Sequence, residues 1–165
     1  MTDAEARLSG TSATGAALEA VSARQRRLSV LAKARTKDLL ACWKDTGLDP
    51  AVEVLRGPES GLVAVRGRIG GGGQPFQVGE MSATRVTVRI GSGEIGHAMV
   101  AGRDARKAQL AAVIDALAQD PAQADLIESR IIAPLEKIAD EADQRLRAET
   151  AATRVNFFTM VRGED

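Results

Sequence analysis

Residues 75–101, PFQVGEMSATRVTVRIGSGEIGHAMVA, decide the fold class. Val86, Val88 and Ile90 alternate with Arg85, Thr87 and Arg89, the period-two pattern of a strand with one apolar and one wet face. Gly91-Ser92-Gly93 has the chemistry of a hairpin turn, and residues 94–101 read as the return strand. Residues 75–90 therefore form one long or bent strand of an antiparallel meander. Upstream, residues 51–55 are a short strand candidate and Gly57-Pro58 marks a turn. Residues 61–69 alternate again, with Val63, Val65 and Ile69 opposite Arg66 and Arg68.

Helical patterns flank this sheet. Residues 19–34 place Val21, Leu28 and Leu31 on one side. Thr36 is a suitable N-cap for a second helix, with Asp38 near its positive end and Leu39, Leu40 and Trp43 on its apolar face. Gly47 is a plausible stop, so the two helices read as a hairpin. After the sheet, Asp104 can cap a helix with Leu110, Val113, Ile114 and Leu117 on its core face, ended by Asp120-Pro121. A longer stripe follows at Ile127, Ile131, Leu135, Ile138, Ala142 and Leu146. Pro134 lies inside it and predicts a kink or break near Ile132. Residues 155–161 end the chain as a strand-like apolar run.

The expected architecture is α+β: an antiparallel meander, an N-terminal helical hairpin, C-terminal helices and a short terminal strand. Residues 1–20 carry scarcely an apolar side chain and read as a disordered tail, leaving 21–165 as a single domain. The 165 residues suffice for one ordinary core, and 44 % apolar with 27 % charged is normal for a globular protein. Twenty-two basic residues balance 22 acidic ones, which argues against bulk nucleic-acid binding. No secretory h-region and no membrane-length apolar window is visible, so the cytoplasm is the expected location. Cys42 is the single cysteine and His97 the single histidine. One cysteine rules out an intramolecular disulfide, and a zinc site or an iron–sulfur cluster ligated within this chain is not expected.

The residues suited to carry chemistry are few. Gly70-Gly71-Gly72-Gly73 can turn backbone N–H groups toward an anion. No Lys-Ser/Thr and no helix follow, so the plainer reading is a hairpin loop. Arg66, Arg68, Arg85 and Arg89 can share one sheet face and grip phosphate or carboxylate, or simply form a solvated charged row. Gly102-Arg103-Asp104 joins a strand to a helix, where Arg103 can favour an anion or the segment can serve only as turn and cap. Cys42 beside Trp43 is most simply a small core residue. At the end of the chain, Phe157, Phe158, Met160 and Arg162 lie in an apolar run that can close its own sheet or add to a partner's edge. No triad, paired-carboxylate site or metal constellation emerges, so no catalytic residue and no metal ligand is assigned.

Several stretches share one pattern: Gly61-Leu62-Val63, Arg68-Ile69-Gly70-Gly71, Phe76 with Gly79-Glu80, residues 83–89, Gly102-Arg103-Asp104 and Ala133-Pro134-Leu135. Residues 156–163, Asn-Phe-Phe-Thr-Met-Val-Arg-Gly, complete it. Together, over roughly residues 24–163, they resemble the phosphonate metabolism protein PhnG family. The resemblance implies a non-catalytic subunit of the carbon–phosphorus lyase core complex, assembled with PhnH, PhnI and PhnJ. It implies, with PhnI, PhnH and PhnL, support for displacing adenine from MgATP by a phosphonate to give a ribose 1-phosphonate 5-triphosphate. It also implies that the iron–sulfur cluster and S-adenosylmethionine belong to PhnJ and that this chain binds no cofactor of its own. The alternative left by the residues alone is an anion- or nucleotide-binding module built on the glycine loop and the arginines.

Overall fold

The computed structural model describes the backbone of residues 4–68 and 72–153, and side chains from residue 18 onward within those ranges. Helix α1 (Ala4–Lys33) and α2 (Thr36–Thr46) precede strands β1 (Val52–Arg68), β2 (Pro75–Ile90) and β3 (Ile95–Ala101). Helices α3 (Ala105–Leu117), α4 (Pro121–Ile127) and α5 (Ala133–Ala152) follow, with one π-helical turn at Glu128–Ile132. The strands form one antiparallel sheet in the order β1-β2-β3. The expected α+β architecture of meander, N-terminal helical hairpin and C-terminal helices is the one observed, and the short terminal strand expected at residues 155–161 lies outside the described residues.

The core forms where the inward stripe of the sheet meets α3. Val86, Val88 and Ile90 of β2 and Ala98 and Val100 of β3 are buried against Ala108, Ala111, Ala112 and Ile114. Leu31 of α1, Leu39 of α2 and Ile127, Ile131, Ile132 and Leu135 close the other side. Each fully buried aliphatic side chain contributes about 1.5–3 kcal/mol. From Ala111 to Leu117 every residue of helix α3 is buried. Alanines 108, 112 and 116 are all buried, and they let the strand approach unusually closely. At Gly96, a Cβ would collide with the Ala112 carbonyl and sit 2.7 Å from the Ala116 nitrogen, so only glycine fits that contact.

Several local expectations change in the structure. Gly57-Pro58 does not end a strand. It lies inside continuous β1, which carries two more residues than β2 between its pairings at Val54↔Val88 and Glu59↔Arg85. A bulge absorbs the excess, and Gly57 takes φ +80° there, with room for no Cβ against the Arg85 carbonyl. Thr36 is not the cap of α2. The N-cap is Arg35, and the Thr36 hydroxyl instead donates to the Asp104 carboxylate at 2.6 Å. Asp120 both follows the end of α3 and caps α4 by accepting from the Ala122 N–H at 2.9 Å. The break expected before Pro134 is the π-helical turn. Helix α1 spans Ala4–Lys33. Ala-rich sequence favours helix, but Leu18 and Val21 stay exposed, and its core contribution comes from Val30 and Leu31.

Candidate functional site

Two surfaces of the sheet are uncovered. On the face away from α3, Arg85 pairs with Glu59 at 3.0 Å and Arg89 with Glu53 at 3.1 Å. Thr87 and the His97 Nδ1 lie 3.1 Å apart between them. These cross-strand pairs follow from the register, which sets Glu59 opposite Arg85, Glu53 opposite Arg89 and Thr87 opposite His97. Hydrogen bonding from Arg85, aided by the Arg56 charge, holds the Glu59 carboxyl below its usual range. The second surface is the far end of the β1–β2 ribbon. Strand β3 pairs with residues 83–89 of β2 and the Gly102 N–H reaches the Ser82 carbonyl at 2.8 Å, so beyond Ser82 the β1 and β2 residues pair with each other alone. Leu62, Val65, Phe76, Val78 and Met81 are all exposed there, from 37 % at Val65 to 65 % at Leu62.

The arginines singled out in the sequence are divided by this geometry. Arg85 and Arg89 share the open face, each already tied to a carboxylate. Arg66 and Arg68 sit near the ribbon's tip, opposite Gln77 and Pro75, where Arg68 reaches the Gly73 carbonyl at 3.4 Å. Arg103 is exposed beyond the end of β3. Gly72 and Gly73 belong to the turn joining β1 to β2, while Gly70 and Gly71 lie outside the described residues. Phe157, Phe158, Met160 and Arg162 lie outside them too.

At the Gly102-Arg103-Asp104 junction the cap role is filled by Asp104. Its carboxylate accepts from the Lys107 N–H at 2.9 Å and from Thr36, and these hydrogen bonds hold it below its usual range. The N-terminus of α3 thus already carries an anion of its own. Lys107 is buried and donates from Nζ to the Ala32 carbonyl at 2.7 Å, closing the last turn of α1. Burial lowers its pKa, partly offset by Asp104.

A second buried polar group escaped the sequence reading. The Asp115 side chain is fully buried in α3. It takes two hydrogen bonds from Arg24, at 3.0 and 2.7 Å, and one from the His97 backbone N–H at 2.9 Å. It therefore ties α1, α3 and β3 at one point. Arg24 and Asp115 stand 91 residues apart, so no local pattern announces the pair. Cys42 packs half-buried against the core, as expected, and burial pushes its thiol up, the opposite of a reactive thiolate.

Between α1, α2 and α5 runs an open groove of about 370 Å³, with Val30, Leu135, Ile138 and Ala142 in its lining. The stripe expected on α5 thus packs at Leu135, opens into this groove at Ile138, and is exposed at Leu146. Among the described residues, no group of three His, Cys, Asp or Glu side chains is placed to hold a metal ion. No described helix is long and apolar enough to cross a membrane.

Fold and surfaces define a small α+β protein in which the candidate arginines of the open face pair with its own carboxylates and five exposed apolar side chains lie on one projecting ribbon. The family described as phosphonate metabolism protein PhnG matches residues 22–163, and the chain belongs to that family. It is similar to the alpha-D-ribose 1-methylphosphonate 5-triphosphate synthase subunit PhnG of Rhizobium meliloti (strain 1021), 47 % identical over 148 residues, covering 88 % of this chain and 92 % of that protein. Family membership bears out the resemblance read from the short ordered motifs.

Proposed function

We propose that this chain is an accessory subunit of a multi-subunit transferase that displaces adenine from MgATP with a phosphonate, forming a ribose 1-phosphonate 5-triphosphate. The observation that carries this reading is the 47 % identity, over most of both chains, to a subunit of a ribose 1-methylphosphonate 5-triphosphate synthase. Its part is positioning: it orders the nucleosidase-like subunit PhnI and closes that subunit's site, with PhnH and PhnL in the same reaction. PhnJ, joined in the core complex, then cleaves the carbon–phosphorus bond with its iron–sulfur cluster and S-adenosylmethionine. A single cysteine leaves this chain without the thiolates such a cluster needs. Assembly takes place in the cytoplasm, and Phe157, Phe158, Met160 and Arg162 contribute to an interface with a partner.

The competing role, direct grip on a triphosphate by Gly70–Gly73, Arg85, Arg89 and Arg103, is less favoured. Arg85 and Arg89 already serve Glu59 and Glu53, and Asp104 presents a carboxylate beside Arg103. The test is formation of the ribose 1-phosphonate 5-triphosphate from MgATP and methylphosphonate by purified PhnH, PhnI and PhnL. That product depends on adding this chain if the proposal holds. Full yield without it, or formation by this chain alone, overturns it.

A further inference from the structure

We propose that the distal half of the β1–β2 ribbon, residues 62–68 and 75–82, is an arm that inserts into an apolar cleft with an acidic rim on another subunit of the synthase. This rests on the subunit reading above and names the surface and chemistry of its contact.

Seven residues at about 3.3 Å each carry the arm roughly 20 Å beyond the third strand. A lone two-stranded ribbon is marginal in water, because it has no third strand or helix to bury a face against. This one is not compensated by a polar surface. Leu62 lies on the same face as buried Thr84, set by the Ser82 and Thr84 pairings, whereas Val65 and Met81 lie on the opposite face, across from Gly79 and Val63. Phe76 and Val78 add apolar surface nearer the tip, with the Val78 side chain packed over Gly67. Apolar groups on both faces need cover from two sides, which a cleft supplies and a flat surface does not.

Charge then narrows the partner. The arm carries Arg66 and Arg68 against Glu80 alone, a net of two minus one, or +1, with both arginines near the tip. An acidic rim complements such a tip and speeds docking. A second copy of this chain fits less well, since two identical arms would bring like-charged tips together.

The experiment co-expresses the full chain with the other synthase subunits and compares wild type with Leu62→Asp/Val78→Asp. Both residues are exposed, so the isolated variant keeps the wild-type melting temperature. We expect the wild type to assemble and the variant to bind its partner about thirtyfold more weakly, as for loss of an interface hot spot. Amide exchange in the wild-type complex is the second measurement, with residues 62–68 and 75–82 expected to become protected. Wild-type and variant chains assembling equally, or arm amides as fast in the complex as alone, overturn the arm while leaving the subunit reading intact. A wild-type chain that assembles with nothing overturns both. Self-association of the isolated chain that the variant abolishes assigns the arm to a second copy and overturns the proposal.

Discussion

Arg24→Ala is the change whose consequence can be worked furthest. The Asp115 side chain is wholly inaccessible, while that of Arg24 is one-third exposed. Removing Arg24 strips a buried carboxylate of its counter-ion and two of its three hydrogen bonds, leaving the His97 N–H alone. Breaking a fully buried pair costs about 3–5 kcal/mol, and the partial exposure of Arg24 argues for the lower end, about 3 kcal/mol. Asp115→Asn instead keeps the shape and lets Arg24 turn to water, so its cost is nearer the 1–2 kcal/mol of lost hydrogen bonds. For a chain of 165 residues, Arg24→Ala then lowers Tm by roughly 6–12 °C. The asymmetry is the sharper test. In Arg24→Ala/Asp115→Asn the orphaned charge is gone, so the double variant is more stable than Arg24→Ala. Urea unfolding followed by circular dichroism measures all three. An Arg24→Ala variant within about 0.5 kcal/mol of wild type, or a double variant less stable than Arg24→Ala, refutes the reasoning.

Other outcomes follow from the same geometry. Gly96→Ala forces a Cβ into the backbone of α3 and costs about 3 kcal/mol, measurable in the same unfolding series; a neutral result means strand and helix are not in that contact. Asp104 has a folded pKa below its unfolded value of about 3.9, so its stabilisation is present above that pH and fades as pH falls through the folded value. Asp104→Ala therefore lowers stability by about 1 kcal/mol at pH 7, and its deficit against wild type shrinks in acid; a deficit that grows on acidification contradicts the cap. Arg85→Ala and Arg103→Ala leave both the melting temperature and any nucleotide affinity of the assembled complex unchanged; isothermal titration showing weaker binding moves weight to the anion-binding reading. Truncation after Val155 removes Phe157, Phe158 and Met160 and abolishes co-purification with PhnI; an intact complex without these residues removes the C-terminal run from the interface.

How far the sequence foretold the structure depended on whether a signal was local. Strand β2 was legible to its ends because Val86, Val88 and Ile90 alternate with charged and hydroxyl residues, and Gly91-Ser92-Gly93 closes it. Gly57-Pro58 misled because a bulge and a turn use the same residue chemistry; only the strand opposite distinguishes them. The depth of α3 was under-read, since alanines on all sides give no periodicity, and their smallness matters only once Gly96 lies across from them. The stripe on α5 was read correctly as a pattern, yet nothing local says that packing stops and Leu146 faces outward. The arginines shared a strand pattern, but the acids that tie two of them, Glu53 and Glu59, lie on β1 and were invisible until the register was known. Family membership was legible because it rests on ordered short motifs spread over most of the chain.

The most direct test is co-expression of this chain with a tagged PhnI from the same organism, followed by affinity capture and native mass measurement. The account predicts a stable stoichiometric complex in which both chains are present in equal number. A folded chain that elutes alone, with PhnI free of it, contradicts the claim that this protein works as a subunit.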